Sequence, residues 1–284
     1  MSNTTETKSE ATPIRQRLVM PIQSVGELGK SLTADGLISL LKFAGVPHAG
    51  VDLDPRHHTL SDRHDGIALV DATHSEDAWG DMIDALPTDA PTIILDIPSN
   101  ATDRIIAFVQ HFGLLKIWRQ SSVRLTLLIF ASDGAKAKDS AYDAREFFGD
   151  EVDYLLIENS AQFKSEVFKQ TPLYDWFVAR HTPTVTIPRI SSGTLAAWDA
   201  AQHEAGRGLS LDAVCKLRSP CALSPMRQVE MAGIRDLLLA QFENCTSKIV
   251  PDPDLIKHHV PRVTPPQIVR PANRRYGNPE LVRK

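Results

Sequence analysis

The sequence predicts an α/β protein built on a doubly wound, mostly parallel sheet with a helical C-terminal part. Two observations support this fold class. Short apolar runs alternate along the chain with segments of helical period, which is typical of parallel strands joined by crossover helices. In addition, residues 91–98 are apolar on both faces up to Asp96, as expected of a central strand that is covered on both sides.

The predicted strands and helices follow one another from about residue 17 to residue 187. Strands are expected at 18–22, 49–55, 66–70, 91–98, 123–130, 152–157 and 184–187. Between them, helical period is expected at 32–43, 76–86, 103–118, 139–148 and within 162–180. From Ser191 onward the patterns are helical, at 193–205, 209–217 and 225–244, and this part is expected to pack on the sheet or on a partner.

The composition predicts one folded domain between two tails. Residues 1–15 are rich in Ser, Thr, Glu and Lys without apolar period, which predicts a disordered tail. Residues 16–249 form the predicted domain, and 42% hydrophobic residues in a chain of 284 can fill a sizeable core. Residues 250–284 are rich in proline and basic side chains, which predicts an extended, mobile tail.

Charge and cysteine content say little about function but indicate a compartment. A net charge of -4 and a pI near 6.2 give no global sign of nucleic-acid binding. The three cysteines form neither a paired framework nor a Cys-x-x-Cys metal pattern, which suits a reducing environment. No run approaches the ~18 apolar residues that a membrane span needs, and residues 1–11 lack the features of a signal peptide. We therefore expect a cytoplasmic protein without a membrane span.

A candidate phosphate-binding loop lies between the first predicted strand and the first predicted helix, in the stretch Gln-Ser-Val-Gly-Glu-Leu-Gly-Lys-Ser at 23–31. Backbone N–H groups of such a turn and the positive end of the following helix converge on an anion. Lys30 and Ser31 would supply a charge and a magnesium-binding hydroxyl. Because Ser24 stands where the full motif has its first glycine, a simple helix start is the alternative for this stretch alone.

Acidic side chains end two of the predicted strands, at Asp52, Asp54 and Asp96. In an open parallel sheet, ligands bind at the carboxyl ends of the strands. Phosphoryl transfer requires carboxylates and a hydroxyl around magnesium and one group that orients the attacking water. A solvated strand end is the alternative for Asp52 and Asp54, since paired acids are common at turns.

Three motifs in order then resemble the ParA/MinD-type ATPases: Gly-Lys-Ser at 29–31, Asp-Leu-Asp-Pro at 52–55 and Asp-Ile-Pro at 96–98. This deviant P-loop class includes plasmid partition proteins and their relatives in conjugation and mobilisation operons. The resemblance covers about residues 17–245. It implies a P-loop NTPase fold, ATP and Mg²⁺ as cofactors, and a homodimer.

The resemblance also implies a role for each matching residue. Lys30 would contact the β- and γ-phosphates and act in catalysis, and Asp54 would position the attacking water. Magnesium would be held by Ser31 and Asp96, with Asp52 supporting the metal shell. The nucleotide-binding residues would be Gly26, Gly29, Lys30, Ser31, Leu32 and, as the adenine contact at the end of a later strand, Asn159.

Val25 and Glu27 depart from the family pattern, which has a lysine and a glycine at these positions. Val25 supplies no charge to the phosphates of a partner subunit, and a carboxylate at Glu27 would repel a triphosphate. The sequence thus predicts a nucleotide-dependent switch ATPase in plasmid partition, mobilisation or conjugal transfer, with slow or partner-stimulated hydrolysis. The alternative is a degenerate, non-hydrolysing module that binds a relaxase, a partition adaptor or DNA.

Three further groups of residues have less specific interpretations. The histidines fit no compact metal-ligand spacing, and a surface loop is favoured over a metal site for His57, His58, His64 and His74. For the basic residues near the C-terminus a solvated tail is favoured over contacts with DNA phosphates or an acidic protein surface, because prolines dilute the charge; they are Arg270, Arg274, Arg275, Arg283 and Lys284. The tryptophans within helical patterns are predicted to be core residues, namely Trp118, Trp176 and Trp198.

Overall fold

The computed structural model describes residues 13–26, 28–71, 80, 82–83, 86, 89–160, 165–216 and 223–257. Within these residues, seven strands form one sheet in the order β3-β2-β4-β1-β5-β6-β7. The strands are β1 Gln16–Pro21, β2 His48–Asp52, β3 Ala68–Leu69, β4 Thr92–Asp96, β5 Val123–Ala131, β6 Asp153–Asn159 and β7 Thr184–Ile187. All neighbouring strands pair in parallel, so the predicted doubly wound sheet is confirmed.

Ten α-helices lie within the described residues. They are α1 Lys30–Phe43, α2 Thr59–Arg63, α3 Thr102–His111, α4 Leu114–Gln120, α5 Ala135–Phe148, α6 Pro172–Ala179, α7 Ser192–Ala205, α8 Leu211–Lys216, α9 Pro225–Glu243 and α10 Asp254–Lys257. The helix predicted at 103–118 is in fact two helices, because Gly113 adopts a left-handed conformation with φ of 61° between them. None of the described helices is long and apolar enough to cross a membrane.

Alternate residues of each central strand face two separate apolar cores, one on each side of the sheet. In β1, Val19 belongs to one core, while Leu18 and Met20 belong to the other. The first core contains side chains of α1, α7, α8 and α9, and the second contains side chains of α3 to α6. This arrangement explains why the central strands are apolar on both faces in sequence.

The helical C-terminal part packs on the same face of the sheet as α1. Gly36 allows this close approach, because a Cβ atom there would lie 3.0 Å from Cε2 of Phe242 in α9. Met231 and Leu238 of α9 are fully buried in the core beside α1. Leu237, next to Leu238 in sequence, is 57% exposed, so the buried face of α9 does not extend to it.

The strand order reverses beside β1, and this reversal determines where a crevice can form at the end of the sheet. β1 lies between β4 and β5, and the chain leaves it through α1 to reach β2 beyond β4. The crossovers therefore diverge on either side of β1, and a crevice forms at the carboxyl ends of the central strands. The stretch from Ile22 to Gly29 joins β1 to α1 at this edge.

Packed structure continues beyond residue 250, where the extended tail was predicted to begin. Val250 and Ile256 are fully buried, and α10 covers Asp254–Lys257. Backbone carbonyls of this segment accept hydrogen bonds from the sheet, with Arg17 Nε 3.0 Å from Val250 O and Thr92 Oγ1 3.0 Å from Ile249 O. The prediction placed this boundary too early because these contacts join residues far apart in sequence. Residues 258–284 and 1–12 lie outside the described parts of the chain.

Candidate functional site

A cavity of about 760 Å³ lies at the carboxyl edge of the sheet, where the β1–α1 loop meets the ends of several strands. It brings together every residue predicted to bind nucleotide, namely Gly26, Gly29, Lys30, Ser31, Leu32 and Asn159, and also Asp54. The other described lining residues are His57, Thr59, Arg63, Ile97, Ser99, Ile187, Pro188, Ile190, Leu195, Trp198 and Asp199. Asp52 and Asp96 lie behind this lining as buried groups.

The loop before α1 requires glycine at position 29. Gly29 precedes the helix with φ of 96°, a left-handed conformation that L side chains rarely adopt. A Cβ atom there would also lie 3.0 Å from both Asn159 Nδ2 and Ile187 Cδ1. The glycine therefore lets the loop turn tightly against the ends of β6 and β7, with the N-terminus of α1 opening on the cavity.

Lys30 is folded back onto its own loop. Its Nζ donates to Val25 O at 2.5 Å and lies 3.4 Å from both Gln23 O and Ser99 Oγ. Burial lowers the pKa of this amine, and the nearby carboxylates of Asp96 and Asp54 partly offset that effect. An anion bound in the cavity would give the amine a stronger partner than neutral carbonyl oxygens do.

Asp96, at the end of β4, is a buried carboxylate without sufficient partners. Burial is the main cause that raises its pKa to about 7; the hydrogen bond with the Ser31 side chain opposes this, and the charge of Asp52 adds to it. Its Oδ1 atom is buried and has no hydrogen-bond partner among the described residues. Such a carboxylate is stabilised in its charged form by a cation.

These groups fit a magnesium ion. Mg²⁺ prefers oxygen ligands and is usually bound by one or two protein groups together with water and substrate phosphates. Ser31 offers a hydroxyl that is hydrogen-bonded to the Asp96 carboxylate, and Asp96 offers its other oxygen, Oδ1, which has no partner among the described residues. A cation there would bind the unpartnered oxygen of Asp96 and would lower the pKa of this carboxyl group by stabilising its charged form.

Asp52 is fully engaged in holding the chain after β2. Its Oδ1 accepts from Asp54 N at 3.0 Å, and its Oδ2 accepts from Leu60 N at 2.9 Å and from Ser61 N at 3.0 Å. The Ser61 hydroxyl adds a bond at 3.2 Å. In this arrangement Asp52 orients the loop before α2, and through that loop it positions Asp54.

Asp54 faces the cavity on a loop that hydrogen bonds hold in place. Its Oδ1 accepts from the backbone N–H of Arg56 at 3.1 Å and of His57 at 3.2 Å. Its Oδ2 lies 3.0 Å from His57 Nδ1. The carboxylate is thus oriented by its own turn, and its Oδ2 atom is shared with an exposed histidine.

The opposite end of the cavity lining is largely apolar. Asn159, the last residue of β6, donates from Nδ2 to Leu28 O at 3.1 Å and so ties the strand to the phosphate loop. Beyond it, Ile187 and Pro188 follow β7, and Ile190 and Leu195 follow in turn. An apolar wall with few polar groups is the ordinary lining of a small-molecule site.

The sheet and the loop before α1 have the arrangement that the sequence predicted. A strand, a glycine turn and a helix that begins at Lys30 stand at the centre of an all-parallel sheet, with an acid at the end of the neighbouring strand. No protein-family model matches the chain, and no curated protein matches it either.

Several solved structures are similar to this chain. A putative plasmid partition protein from Borrelia burgdorferi B31 bound to AMPPNP shares 12% identity, with 81% of this chain and 99% of that chain covered and a TM-score of 0.43. The MinC:MinD cell division complex of Aquifex aeolicus shares 15% identity, with 61% and 82% covered and a TM-score of 0.37. Chloroplast FtsY from Physcomitrella patens shares 13% identity over 53% of this chain and 52% of that chain, with a TM-score of 0.38, so this chain spans about half of the FtsY structure.

Ser99, Arg63 and Trp198 are among the cavity residues that the sequence motifs do not include. The sequence contains a weak indication that Ser99 lies at the site, because Ser99 follows Asp96 by three residues. No sequence feature places Arg63 and Trp198 at the site, since they are far apart in sequence and meet only in the fold. Trp198 is buried as predicted, yet one part of it also lines the cavity.

The remaining sequence features separate in space. His57 and His58 pair with Asp54 and Asp62, while His64 is buried against Asp35. The part of the chain that the structure describes contains no group of three or more His, Cys, Asp or Glu side chains placed to hold a metal. Val25 is half-buried and packs against the apolar core. Glu27 and His74 lie outside the described residues.

Proposed function

We propose that this chain is a ParA/MinD-like nucleotide switch that binds ATP with Mg²⁺ in the cavity at the carboxyl edge of its sheet. The observation that carries the proposal is the arrangement around α1. Lys30 rests on its own loop carbonyls, Ser31 contacts Asp96, and one oxygen of Asp96 is buried without a partner. A phosphate chain with its magnesium satisfies all three groups at once.

Each residue has a distinct task in this proposal. The N-terminus of α1 and the Lys30 amine bind phosphate oxygens, since both present positive charge to the cavity. Ser31 and Asp96 hold the magnesium, which neutralises phosphate charge when it is bound. Asp54 orients the attacking water from its hydrogen-bonded loop, and Asp52 is a positioning residue that fixes this loop. No covalent intermediate is needed.

Asn159 and the apolar residues after β7 form the base end of the proposed site. Asn159 already holds Leu28 O, so its amide is fixed at the border between the phosphate loop and the apolar wall. An adenine ring would be enclosed by Ile187 and Pro188, with the Asn159 amide as its polar contact. The wall thereby binds the base, while the loop binds the phosphates.

Equilibrium titration with Mg-ATP, followed by phosphate release, tests the proposal. Lys30→Ala should lower ATP affinity at least about tenfold, because a charge-assisted contact to phosphate is lost. Lys136→Ala is the matched control, since Lys136 is an exposed lysine in the first turn of α5, which also follows a strand. A parent protein that binds no ATP, or a Lys30→Ala variant that binds as the parent does, would refute the assignment.

A second candidate function is a non-hydrolysing module that binds nucleotide or keeps only the fold. Val25 favours it, because this side chain carries no charge and packs against the apolar core. The phosphate-release assay separates the two candidates: slow turnover that Asp54→Ala abolishes supports the ATPase, and tight binding without turnover supports the module.

The cellular role follows from the same resemblance and is part of the proposal. We place the chain in the cytoplasm, in plasmid partition, mobilisation or conjugal transfer, as a nucleotide-dependent homodimer that acts with a partition or mobilisation protein or with DNA. Sedimentation with and without Mg-ATP tests the dimer. Sedimentation coefficients that do not change with nucleotide would exclude a nucleotide-driven dimer.

A further inference from the structure

Arg63 is a cation of the cavity wall that none of the sequence motifs includes. It is the last residue of α2, the short helix whose start is held by Asp52. Its side chain is only 13% exposed, and it lines the same cavity as Lys30. Among the described lining residues, Lys30 and Arg63 are the two lysine or arginine side chains.

The guanidinium of Arg63 is held in place but incompletely hydrogen-bonded. It lies over the ring of Trp198, 4.7 Å from the ring centroid, and its stem packs against Gly208. Its Nη1 is 3.4 Å from Asp35 Oδ2, which is long compared with the ~2.7–2.9 Å of a strong charge-assisted bond. Its Nε atom is buried and has no partner among the described residues.

Asp35 is not a sufficient hydrogen-bond partner for the Arg63 guanidinium, because other groups already donate to this carboxylate. Its Oδ1 lies 2.9 Å from His64 Nε2, and its Oδ2 accepts from Leu211 N at 3.1 Å. Lys42 Nζ lies 3.0 Å from the other ring nitrogen of His64 and donates to it, so Nε2 carries the proton that is donated to Asp35. Asp35 thus joins α1, α2 and α8 without needing Arg63 as its main partner.

An unpartnered donor of a buried charged group is costly, because the group has lost its hydrogen bonds to water without gaining others. A ligand that enters the cavity can remove this cost. The group that matches a guanidinium best is an anionic oxygen that accepts from two of its N–H groups. In a nucleotide, the anionic oxygens are those of the phosphate chain.

We propose that Arg63 binds the phosphate chain of the nucleotide from within the same subunit. This inference rests on the proposed function of the cavity. Contact with the Trp198 ring and the pair with Asp35 restrain the guanidinium before the ligand arrives, so less side-chain entropy is lost on binding. Arg63 thereby supplies a second positive charge to the cavity that Lys30 lines, in a chain whose residue 25 supplies none.

Arg63→Gln and Arg63→Lys test the proposal in titrations with adenosine, AMP, ADP and ATP. For Arg63→Gln we expect an unchanged adenosine affinity and an ATP affinity about ten- to hundredfold lower than that of the parent. The nucleotide at which the loss first appears identifies the phosphate that is bound. Arg63→Lys keeps the positive charge but lacks the planar guanidinium, so its ATP affinity should lie between those of the parent and of Arg63→Gln. It therefore remains informative if Arg63→Gln folds poorly.

Arg180→Gln is the matched control. Arg180 also lies over a tryptophan, 3.8 Å from the Trp176 ring centroid, and also pairs with an aspartate, at 2.7 Å from Asp150. It does not line the cavity. Its loss should leave the affinities for all four ligands unchanged, because the same chemistry is removed away from the site.

Three outcomes would overturn the proposal. If Arg63→Gln binds ATP as the parent does, Arg63 does not contact the nucleotide. If adenosine and ATP affinities fall by the same factor, Arg63 only supports the wall of the cavity. If the parent binds none of the four ligands, the proposed function fails and this inference fails with it, which distinguishes that case from the first two.

Discussion

The carboxyl edge of the sheet contains the buried Asp96 and the amino edge contains the half-buried Asp153, and the pKa values of these two carboxyl groups are shifted in opposite directions. At the carboxyl edge, burial dominates and the pKa of Asp96 is raised to about 7. At the amino edge, burial alone would raise the pKa of Asp153 too. There, hydrogen bonds from Lys248 and Arg17 and the charges of Arg17 and Arg124 outweigh burial and lower it to about 2.

The difference lies in the number of partners. Asp153 accepts from Arg17 at 2.8 Å, from Lys248 at 2.8 Å and from Arg124 at 3.3 Å. Asp96 has the Ser31 hydroxyl and an oxygen without a partner. A saturated carboxylate stabilises the fold, whereas an unsaturated one directly behind a cavity wall is a candidate partner for a ligand. The amino edge is therefore structural, and the carboxyl edge is the candidate site.

The largest expected effect comes from removing the charge at the amino edge. Asp153→Asn should lower the free energy of unfolding by about 3–5 kcal/mol, because it leaves the buried Arg17 guanidinium uncompensated. Urea denaturation at pH 7 measures this, and Asp150→Asn, in an exposed pair with Arg180, should cost less than about 1 kcal/mol. A loss below about 1 kcal/mol for Asp153→Asn would mean that this cluster is not structural.

The same cluster predicts an acid limit of stability. The folded-state pKa of Asp153 is below its ordinary value of 3.8, so the stabilisation is present above about pH 4 and is lost as the pH falls toward 2. In Asp153→Asn this part of the acid dependence should be absent. Equal acid dependence in the parent and the variant would contradict the saturated network.

At the carboxyl edge, replacing the aspartate should raise the free energy of unfolding, and by less than the loss expected for Asp153→Asn. The folded-state pKa of Asp96 is above its ordinary value of 3.8, so the parent loses stability as the pH rises from about 4 through 7. Asp96→Asn removes that charge and should raise the free energy of unfolding at pH 8, without nucleotide, by on the order of 2 kcal/mol. Little difference should remain at pH 4.

The gain in stability at Asp96 should come with a loss of function. Asp96→Asn should weaken the dependence of ATP binding on Mg²⁺, because the asparagine side chain carries no charge for the metal. Thermal melts at pH 4 and pH 8 and titrations at several magnesium concentrations check both expectations. A variant that is destabilised at pH 8 would show that Asp96 is needed for the fold itself.

The smallest effect concerns the segment that covers the amino edge. A chain that ends at Val250 loses α10 and the buried Ile256 side chain, and it should be less stable than a chain that ends at Lys257 by about 1–3 kcal/mol. Removal of residues 258–284 alone should change the melting temperature little, because their sequence is proline-rich and has almost no apolar period. Equal stability of the two shortened chains would contradict the docking of α10.

The sequence by itself determined the parts of this protein that depend on local pattern. Apolar runs and helical periods predicted the seven strands and their parallel arrangement, because each strand is read from a few consecutive residues. The glycine turn before α1 and the acids at the ends of β2 and β4 were found in the same way. The carboxyl ends of parallel strands meet at one edge, so their convergence on one cavity also followed from the sequence.

Only the tertiary structure decided which side chains are satisfied. Asp52 and Asp54 look alike in sequence, yet one is fully hydrogen-bonded behind the cavity and the other faces it. Arg63 meets Trp198, and Arg17 meets Val250, across separations that no short pattern encodes. Burial and the number of hydrogen-bond partners depend on tertiary packing. They determine the pKa of each carboxyl group and which N–H groups of each cation have no acceptor. The division into a structural edge and a binding edge therefore appears only once the chain is folded.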